Sequence, residues 1–291
     1  MKFIHLTDPH IVGEGLSLFG TCPTKRLNLA VNSINAEHSD AAFVIITGDL
    51  THWGEDDAYK ALRNALDRLT VPVRLLVGNH DRRGDFLNYF PEAVCDEHGF
   101  IQSRFAMGDL STGLILDTTL EGTHAGHYCA TRCQWLERQL DEIDGDVILF
   151  MHHHPVALGV AAMDRIMLQE HEQFWQVLRG HTERIRHIFF GHVHRAVSGH
   201  WRGIPFSSVR GLNHQVHLNL EADDSAILGD LASPTYGVVL LRPDSLVMHL
   251  HDFTDSSPRF PLHQLDGDDP RSYALTMSHP GWVDIVSSSK E

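Results

Sequence analysis

The stretch Met1-Lys2-Phe3-Ile4-His5-Leu6-Thr7-Asp8-Pro9-His10 opens with a run of strand type and closes on a carboxylate and an imidazole. The same design returns four times. Phe43-Val44-Ile45-Ile46 leads into Gly48-Asp49, and Val73-Arg74-Leu75-Leu76-Val77 leads into Gly78-Asn79-His80-Asp81. Val147-Ile148-Leu149-Phe150 precedes His152-His153-His154-Pro155, and a run from Ile185 to Phe190 precedes Gly191-His192-Val193-His194. Short β-branched and aromatic runs bounded by Gly, Asn and Asp read as strands. Ligands in open α/β sheets gather beyond the carboxyl ends of the strands. Five such ends can therefore converge on one crevice.

Between these runs the apolar period changes to that of a helix. Leu27, Ala30, Val31 and Ile34 recur at helical spacing, as do Ala58, Leu62, Ala65, Leu66 and Leu69. Further helices are expected around Trp135–Ile143 and Glu170–Leu178, and a further strand at Gly113–Leu116. Strand–helix alternation of this kind argues for a layered α/β architecture. Beyond His194 the texture shifts: Trp201–Val209, Gln215–Leu220, Tyr236–Leu241 and Ser245–Phe253 read as strands without intervening helices. The chain is accordingly divided into a core at 1–200 and a C-terminal part at 201–291. The latter is expected to complete a sheet and to add a cap or an oligomer contact. From about Ser256 the tail reads as irregular.

Composition narrows the function. The 291 residues carry a formal net charge of −15, which opposes loose adsorption to nucleic acid or an anionic membrane. No apolar run approaches the roughly 20 residues needed to span a bilayer, and no secretory core follows Met1, so a cytoplasmic location is expected. Cys22, Cys95, Cys129 and Cys133 lack the two-pair spacing of a structural zinc site and read as reduced thiols. Histidine is the anomaly: 23 of them, as many as lysine and arginine together.

Taken singly, each motif has a bland reading. Asp-x-His is common, Gly-Asp is often a turn, and a triple histidine can arise by chance in a His-rich chain. Gly-His-x-His is stronger, because imidazoles at i and i+2 of an extended segment project the same way. What chance does not explain is the whole set, in order, each member behind its own strand. Carboxylate, amide and imidazole donors without thiolate suit Fe, Mn, Zn or Co.

The ordered set Asp-x-His, Gly-Asp, Gly-Asn-His-Asp, His and Gly-His-x-His resembles the signature of calcineurin-like metallophosphoesterases. Within them the chain is similar to the bacterial branch of class III cyclic-nucleotide phosphodiesterases and binuclear glycerophosphodiesterases. The resemblance runs from Met1 to about Val216. It implies a four-layer α-β-β-α sandwich and two divalent metal ions, iron or manganese first and zinc or cobalt second. It further implies that Asp8, His10 and His194 hold one metal, that Asn79, His152 and His192 hold the other, and that Asp49 bridges them. His153 is the alternative to His152. His80 and His214 would face the phosphoryl group, and Asp81 would orient a histidine. His154 replaces the proline usual in the branch, and is expected to be solvated rather than an added cation at the pocket.

The reaction so implied is hydrolysis of a small phosphodiester, cyclic nucleotide or glycerophosphodiester in type. Activated water attacks phosphorus in line, and His80 protonates the leaving alkoxide. The Leu16–Phe19 loop is expected to line the leaving-group pocket. A phosphomonoesterase, or a lipid head-group phospholipase or pyrophosphatase, would use the same metal core, and a non-catalytic scaffold would have no need of it. Nucleic-acid polymers and stable membrane anchoring are not expected as partners, whereas a homo-oligomer is.

Overall fold

Along the strand Lys2–Leu6 (β1) side chains alternate, as the two-residue period requires. Ile4 and Leu6 pack with helix residues, while Phe3 joins a second layer shared with the opposite sheet. The computed structural model that shows this describes residues 1–221 and 226–259. After β1 come α1 (Pro23–Glu37), β2 (Val44–Thr47), α2 (Asp56–Leu66), β3 (Val73–Leu76), α3 (Arg83–Tyr89) and β4 (Ser103–Met107). Then follow β5 (Ser111–Leu116), α4 (Ala130–Glu142), β6 (Val147–Met151), α5 (Ala161–Asp164), α6 (His171–Leu178) and β7 (Ile185–Phe189). The strands β8 (Val197–Trp201), β9 (Ile204–Ser208), β10 (Gln215–Val216), β11 (Gly229–Asp230), β12 (Tyr236–Leu241) and β13 (Leu246–His251) complete the chain's described order.

One sheet runs β13-β12-β1-β2-β3 and the other β4-β5-β6-β7-β9-β8. Their inner strands are parallel, so β1, β2 and β3 end on the same side of one sheet, as do β5, β6, β7 and β9 of the other. Three apolar clusters account for the four layers. Residues of α1, α2 and α3 cover the first sheet, and those of α4 and α6 cover the second. Between the sheets lie Phe3, Phe43, Phe105, Phe150 and Phe189, with Phe150 and Phe189 stacked at 5.4 Å. No disulfide is formed by the four cysteines. No helix among the described residues is long and apolar enough to cross a membrane.

Two expectations change at the C-terminal strands. The run Trp201–Val209 is not one strand: Arg202 (φ 52°) and Gly203 (φ 92°) form a two-residue turn between β8 and β9. Two positive φ values are what a tight hairpin of right-handed twist requires. Gln215–Leu220 shortens to Gln215–Val216, paired with β11. By contrast Tyr236–Leu241 is found as read, antiparallel to β1. The tail expected to be irregular lies, from residue 260, outside the described residues.

Candidate functional site

Every ligand-type motif stands at the carboxyl end of its strand, and the backbone there is unusual. Asp8 (φ 52°), His10 (φ 46°), Asp49 (φ 48°), His192 (φ 67°) and His194 (φ 46°) all occupy the left-handed region. Non-glycine residues rarely do so, at about 1–2 kcal/mol each. The glycines beside them leave room for the polar groups. A Cβ on Gly78 would stand 2.2 Å from Asp49 Oδ1, and one on Gly48 would stand 2.4 Å from His152 Nδ1.

The side chains form two groups that share Asp49. In the first, the donor atoms of Asp8, His10, Asp49 and His194 lie within 4.8 Å of one another. His10 Nε2 is 3.0 Å from His194 Nε2 and 3.5 Å from Asp49 Oδ2, and His194 Nε2 is 3.3 Å from Asp8 Oδ1. In the second, His152 Nε2 is 3.1 Å from Asn79 Oδ1 and 3.3 Å from Asp49 Oδ1. His192 joins His152 and His153 in a buried triad of the same reach. Donors about 3 Å apart are what metal bonds of about 2.0–2.2 Å produce around one ion.

Hydrogen bonds to the outer ring nitrogens fix which atom points inward. His152 Nδ1–H donates to Thr47 O (2.7 Å) and His194 Nδ1–H donates to His214 O (2.9 Å), leaving both Nε2 atoms for the centre. Asn79 Nδ2 donates to His124 Nδ1 (2.9 Å), which turns Asn79 Oδ1 toward His152. Among the described residues, buried His192 Nε2 has no hydrogen-bond partner. An orphaned buried nitrogen is unfavourable by about 1–3 kcal/mol, and a bound cation would satisfy it. The donor set and this orphan fit two divalent metal ions.

The electrostatics agree. Burial opposes a charge on His152, yet the Asp49 carboxylate outweighs it and pushes the imidazole up to about 9. Against the same burial, Asp8 raises His194. A proton on either ring occupies the place of a metal, so loading releases protons. His192 is held well below its ordinary value by burial and by His153 and His152.

His80 and His214 face the same cavity of about 300 Å³, which Phe19, Met163, Ile166, Val216 and Ile227 also line. The His80 Nδ1–H donates to His52 O (2.7 Å), so Nε2 faces the cavity. His214 sits 4.5 Å from the His194 ring and 4.7 Å from that of Phe19. Burial, then His194, lowers its pKa to about 3.

Two sequence expectations are corrected. Asp81 orients no histidine. It accepts from the backbone N–H of Leu50, Thr51 and Gly78 and from the hydroxyls of Thr51 and Tyr59, tying the Asp49 loop to the Asn79 loop. Nor is His154 solvated: it is completely buried, 3.6 Å from Asp164. Two residues escaped the sequence reading. His52 stacks on His80 at 4.8 Å, and His124 contacts both His80 and Asn79. Thr51-His52 directly follows a ligand loop and His124 follows a parallel strand, and that placement was the available signal.

A double-sheet α/β sandwich with two His/Asp donor groups at its strand ends defines a dinuclear phosphoesterase centre. The family model for calcineurin-like phosphoesterases matches residues 1–196, and the chain belongs to that family. It is 42% identical over 267 residues to a probable cyclic nucleotide phosphodiesterase of Rhodopseudomonas palustris, covering 90% of this chain and 96% of the relative. It is 31% identical to a probable glycerophosphodiester phosphodiesterase of Arcobacter nitrofigilis, over 78% of this chain and 84% of that one. Its fold is similar to the crystal structure of a dimetal phosphatase from Danio rerio, with a TM-score of 0.67 at 18% identity, over 87% and 96% of the two chains.

Proposed function

We propose that the protein is a binuclear phosphodiesterase hydrolysing small diesters of cyclic-nucleotide or glycerophosphodiester type. Asp8, His10 and His194 would hold one ion and Asn79, His152 and His192 the other, with Asp49 common to the two groups. The observation that carries this is the shared Asp49, with Oδ2 3.5 Å from His10 of one group and Oδ1 3.3 Å from His152 of the other. The relatives named for cyclic nucleotide and glycerophosphodiester substrates support the substrate class. Oxygen and imidazole donors without thiolate favour iron or manganese, with zinc or cobalt also accommodated.

Two divalent ions, when bound, would supply Lewis-acid stabilisation of the phosphoryl oxygens and lower the pKa of water at the site. The chain's own residues supply the rest. Asp81 holds the Asp49 and Asn79 loops in one geometry through its five hydrogen bonds. His80, its Nδ1–H committed to His52 O, presents Nε2 to the cavity, where it can hydrogen-bond a phosphoryl oxygen and pass a proton to the departing alkoxide. His214 lines the same cavity beside Phe19. Among the described residues lining the cavity there is no lysine or arginine. Such a wall suits the single negative charge of a diester better than the double charge of a monoester.

The test is turnover after metal loading of bis(p-nitrophenyl) phosphate, p-nitrophenyl phosphate, cyclic AMP and glycerophosphoethanolamine, beside Asn79→Ala. Metal-dependent diester cleavage that collapses in the variant is expected, and turnover of the monoester alone would overturn the substrate class. A protein that binds no metal and turns over nothing would be a scaffold.

A further inference from the structure

His5 is an imidazole set into the phenylalanine layer between the sheets. It is fully buried, on the same face of β1 as Phe3, with its ring 5.2 Å from that of Phe189 at 70°. A polar group there is unfavourable unless it is hydrogen-bonded. His5 Nε2 lies 2.9 Å from Thr47 Oγ1, Thr47 Oγ1 lies 2.9 Å from Thr7 Oγ1, and Thr7 Oγ1 lies 2.7 Å from Asp8 Oδ2. The carboxylate end sets the direction of this chain. An ionised Asp8 only accepts, so Thr7 donates to it. The Thr7 oxygen then accepts the hydroxyl proton of Thr47, and the Thr47 oxygen accepts from Nε2–H of His5. Each hydroxyl has one proton; Thr47 Oγ1 also lies 3.4 Å from Leu6 O, but the 2.9 Å contact with Thr7 is the shorter, and through it the row runs one way.

The surroundings hold the row in place. A Cβ on Gly191 would stand 2.2 Å from Thr7 Oγ1 and 2.6 Å from Thr47 O, so the Thr7 hydroxyl is closely covered by backbone. Asp8 itself is in the left-handed region, a conformation that needs support from its neighbours. Its other oxygen, Oδ1, accepts from His192 N–H (3.2 Å) and lies 3.3 Å from His194 Nε2.

We infer that His5 is a positioning residue for the first ligand group, acting through the Thr47 and Thr7 hydroxyls to hold Asp8 with Oδ1 facing His194. The inference rests on the reading of Asp8 as a metal ligand. It goes beyond that reading by extending the centre about three side chains into the core. It also separates the two groups. The second group meets Thr47 through its carbonyl, which accepts from His152 Nδ1–H and survives any change in the hydroxyl row. A histidine that merely fills space between the sheets would affect neither group selectively.

The experiment is Mn²⁺ binding to the full chain, followed by titration and by electron paramagnetic resonance, with Asp8→Ala marking the step that belongs to the first group. His5→Phe keeps the ring and removes the donor, and Thr7→Val cuts the row beside Asp8. Each is expected to weaken the first-group step about 10–100-fold, the effect typical of removing a partner behind a metal ligand, and to leave the second-group step unchanged. The double variant is expected to lose no more than either single one, since both break the same row. Additive losses, or equal weakening of both steps, would overturn the inference. In case His5→Phe does not fold, the ¹⁵N signals of the His5 ring in the unsubstituted protein give a second reading. The Nε2–H tautomer is expected, and the Nδ1–H tautomer would break the row and overturn the inference. If the unsubstituted protein binds no Mn²⁺, the metal reading falls and takes this one with it. If it binds two equivalents and His5→Phe does the same with equal affinity, only the role of His5 falls.

Discussion

Between the sheets, the rings of Phe3, Phe43, Phe150 and Phe189 pack on or beside ordinary strand backbone, whereas just beyond the same strands the chain turns left-handed under Asp8, Asp49 and His192. The interior is mostly apolar, with His5 set among its rings, and its strand backbone has ordinary dihedrals. The ends bury carboxylates and imidazoles and hold them in a conformation that opposes folding. Stability therefore resides in the interior, and the metal-binding geometry is a local departure that the interior supports. The two regions should respond to substitution in opposite ways.

Asp49→Gly gives the largest expected effect. Glycine adopts φ 48° without strain, but the carboxylate common to both ligand groups is gone. Metal-dependent turnover should fall to background and bound metal to less than two equivalents, while the thermal midpoint of the metal-free protein is not lowered. A marked drop in that midpoint would mean that the strand ends also carry stability, and the contrast would fail.

His80→Ala should sharpen the picture at the ends themselves. Loss of a positioned proton donor lowers kcat by about 10²–10⁴-fold, with metal content by elemental analysis unchanged. Metal lost in step with activity would instead place His80 among the ligands. In the interior, Phe150→Ala should destabilise the protein by about 3–5 kcal/mol, read as a lower denaturant midpoint. The metal affinity of the molecules that remain folded should be kept.

A smaller effect is expected from acid. Asp117 is buried at the end of β5, and despite that burial the Arg83 guanidinium, bonded at 2.7 and 2.8 Å, holds its carboxyl below the ordinary 3.8. A group whose pKa is lower in the folded than in the unfolded state stabilises the fold above the unfolded value. That contribution is lost as pH falls through the folded one. Unfolding of the metal-free protein should therefore become easier below about pH 4. Asp117→Asn should be less stable at neutral pH and show a flatter curve across the acid window. An unchanged acid curve would remove Asp117 from the account.

The strand ends were legible because their chemistry is written locally: an apolar run and then donors, five times over, with a glycine between the two in three of them. Metal-type residues placed by such repeated grammar need no knowledge of distant contacts. What escaped the reading depends on long-range packing. His124 reaches Asn79 from 45 residues away, and His52 matters only because the ring of His80 lies over it. His154 read as a solvated substitution for the usual proline, yet its side chain is buried beside Asp164 of α5. Asp81 read as a histidine partner, while its partners are backbone N–H groups of both ligand loops and the hydroxyls of Thr51 and Tyr59. The β8–β9 hairpin was missed because the strand reading began at Trp201, the last residue of β8, and ran through the Arg202-Gly203 turn.

The cavity wall is the weakest test of the contrast, because it belongs to neither region. Phe19 is 60% exposed and has a φ of 51°, a combination without a folding rationale for a large aromatic residue. Its ring stands edge-on to His52 at 5.9 Å and to His214 at 4.7 Å. It borders both the metal cavity and a second one of about 430 Å³, which also share Val216 and Ile227. A leaving group that reaches past His214 would therefore meet Phe19 first. Phe19→Ala removes a ring contact worth about 0.5–1.5 kcal/mol, so KM for cyclic AMP should rise roughly two- to twelvefold. For glycerophosphoethanolamine, which offers no ring to stack, KM should hardly move, and kcat should be kept for both. Equal changes for the two substrates would show that Phe19 shapes the phosphate end of the site and not the leaving-group end.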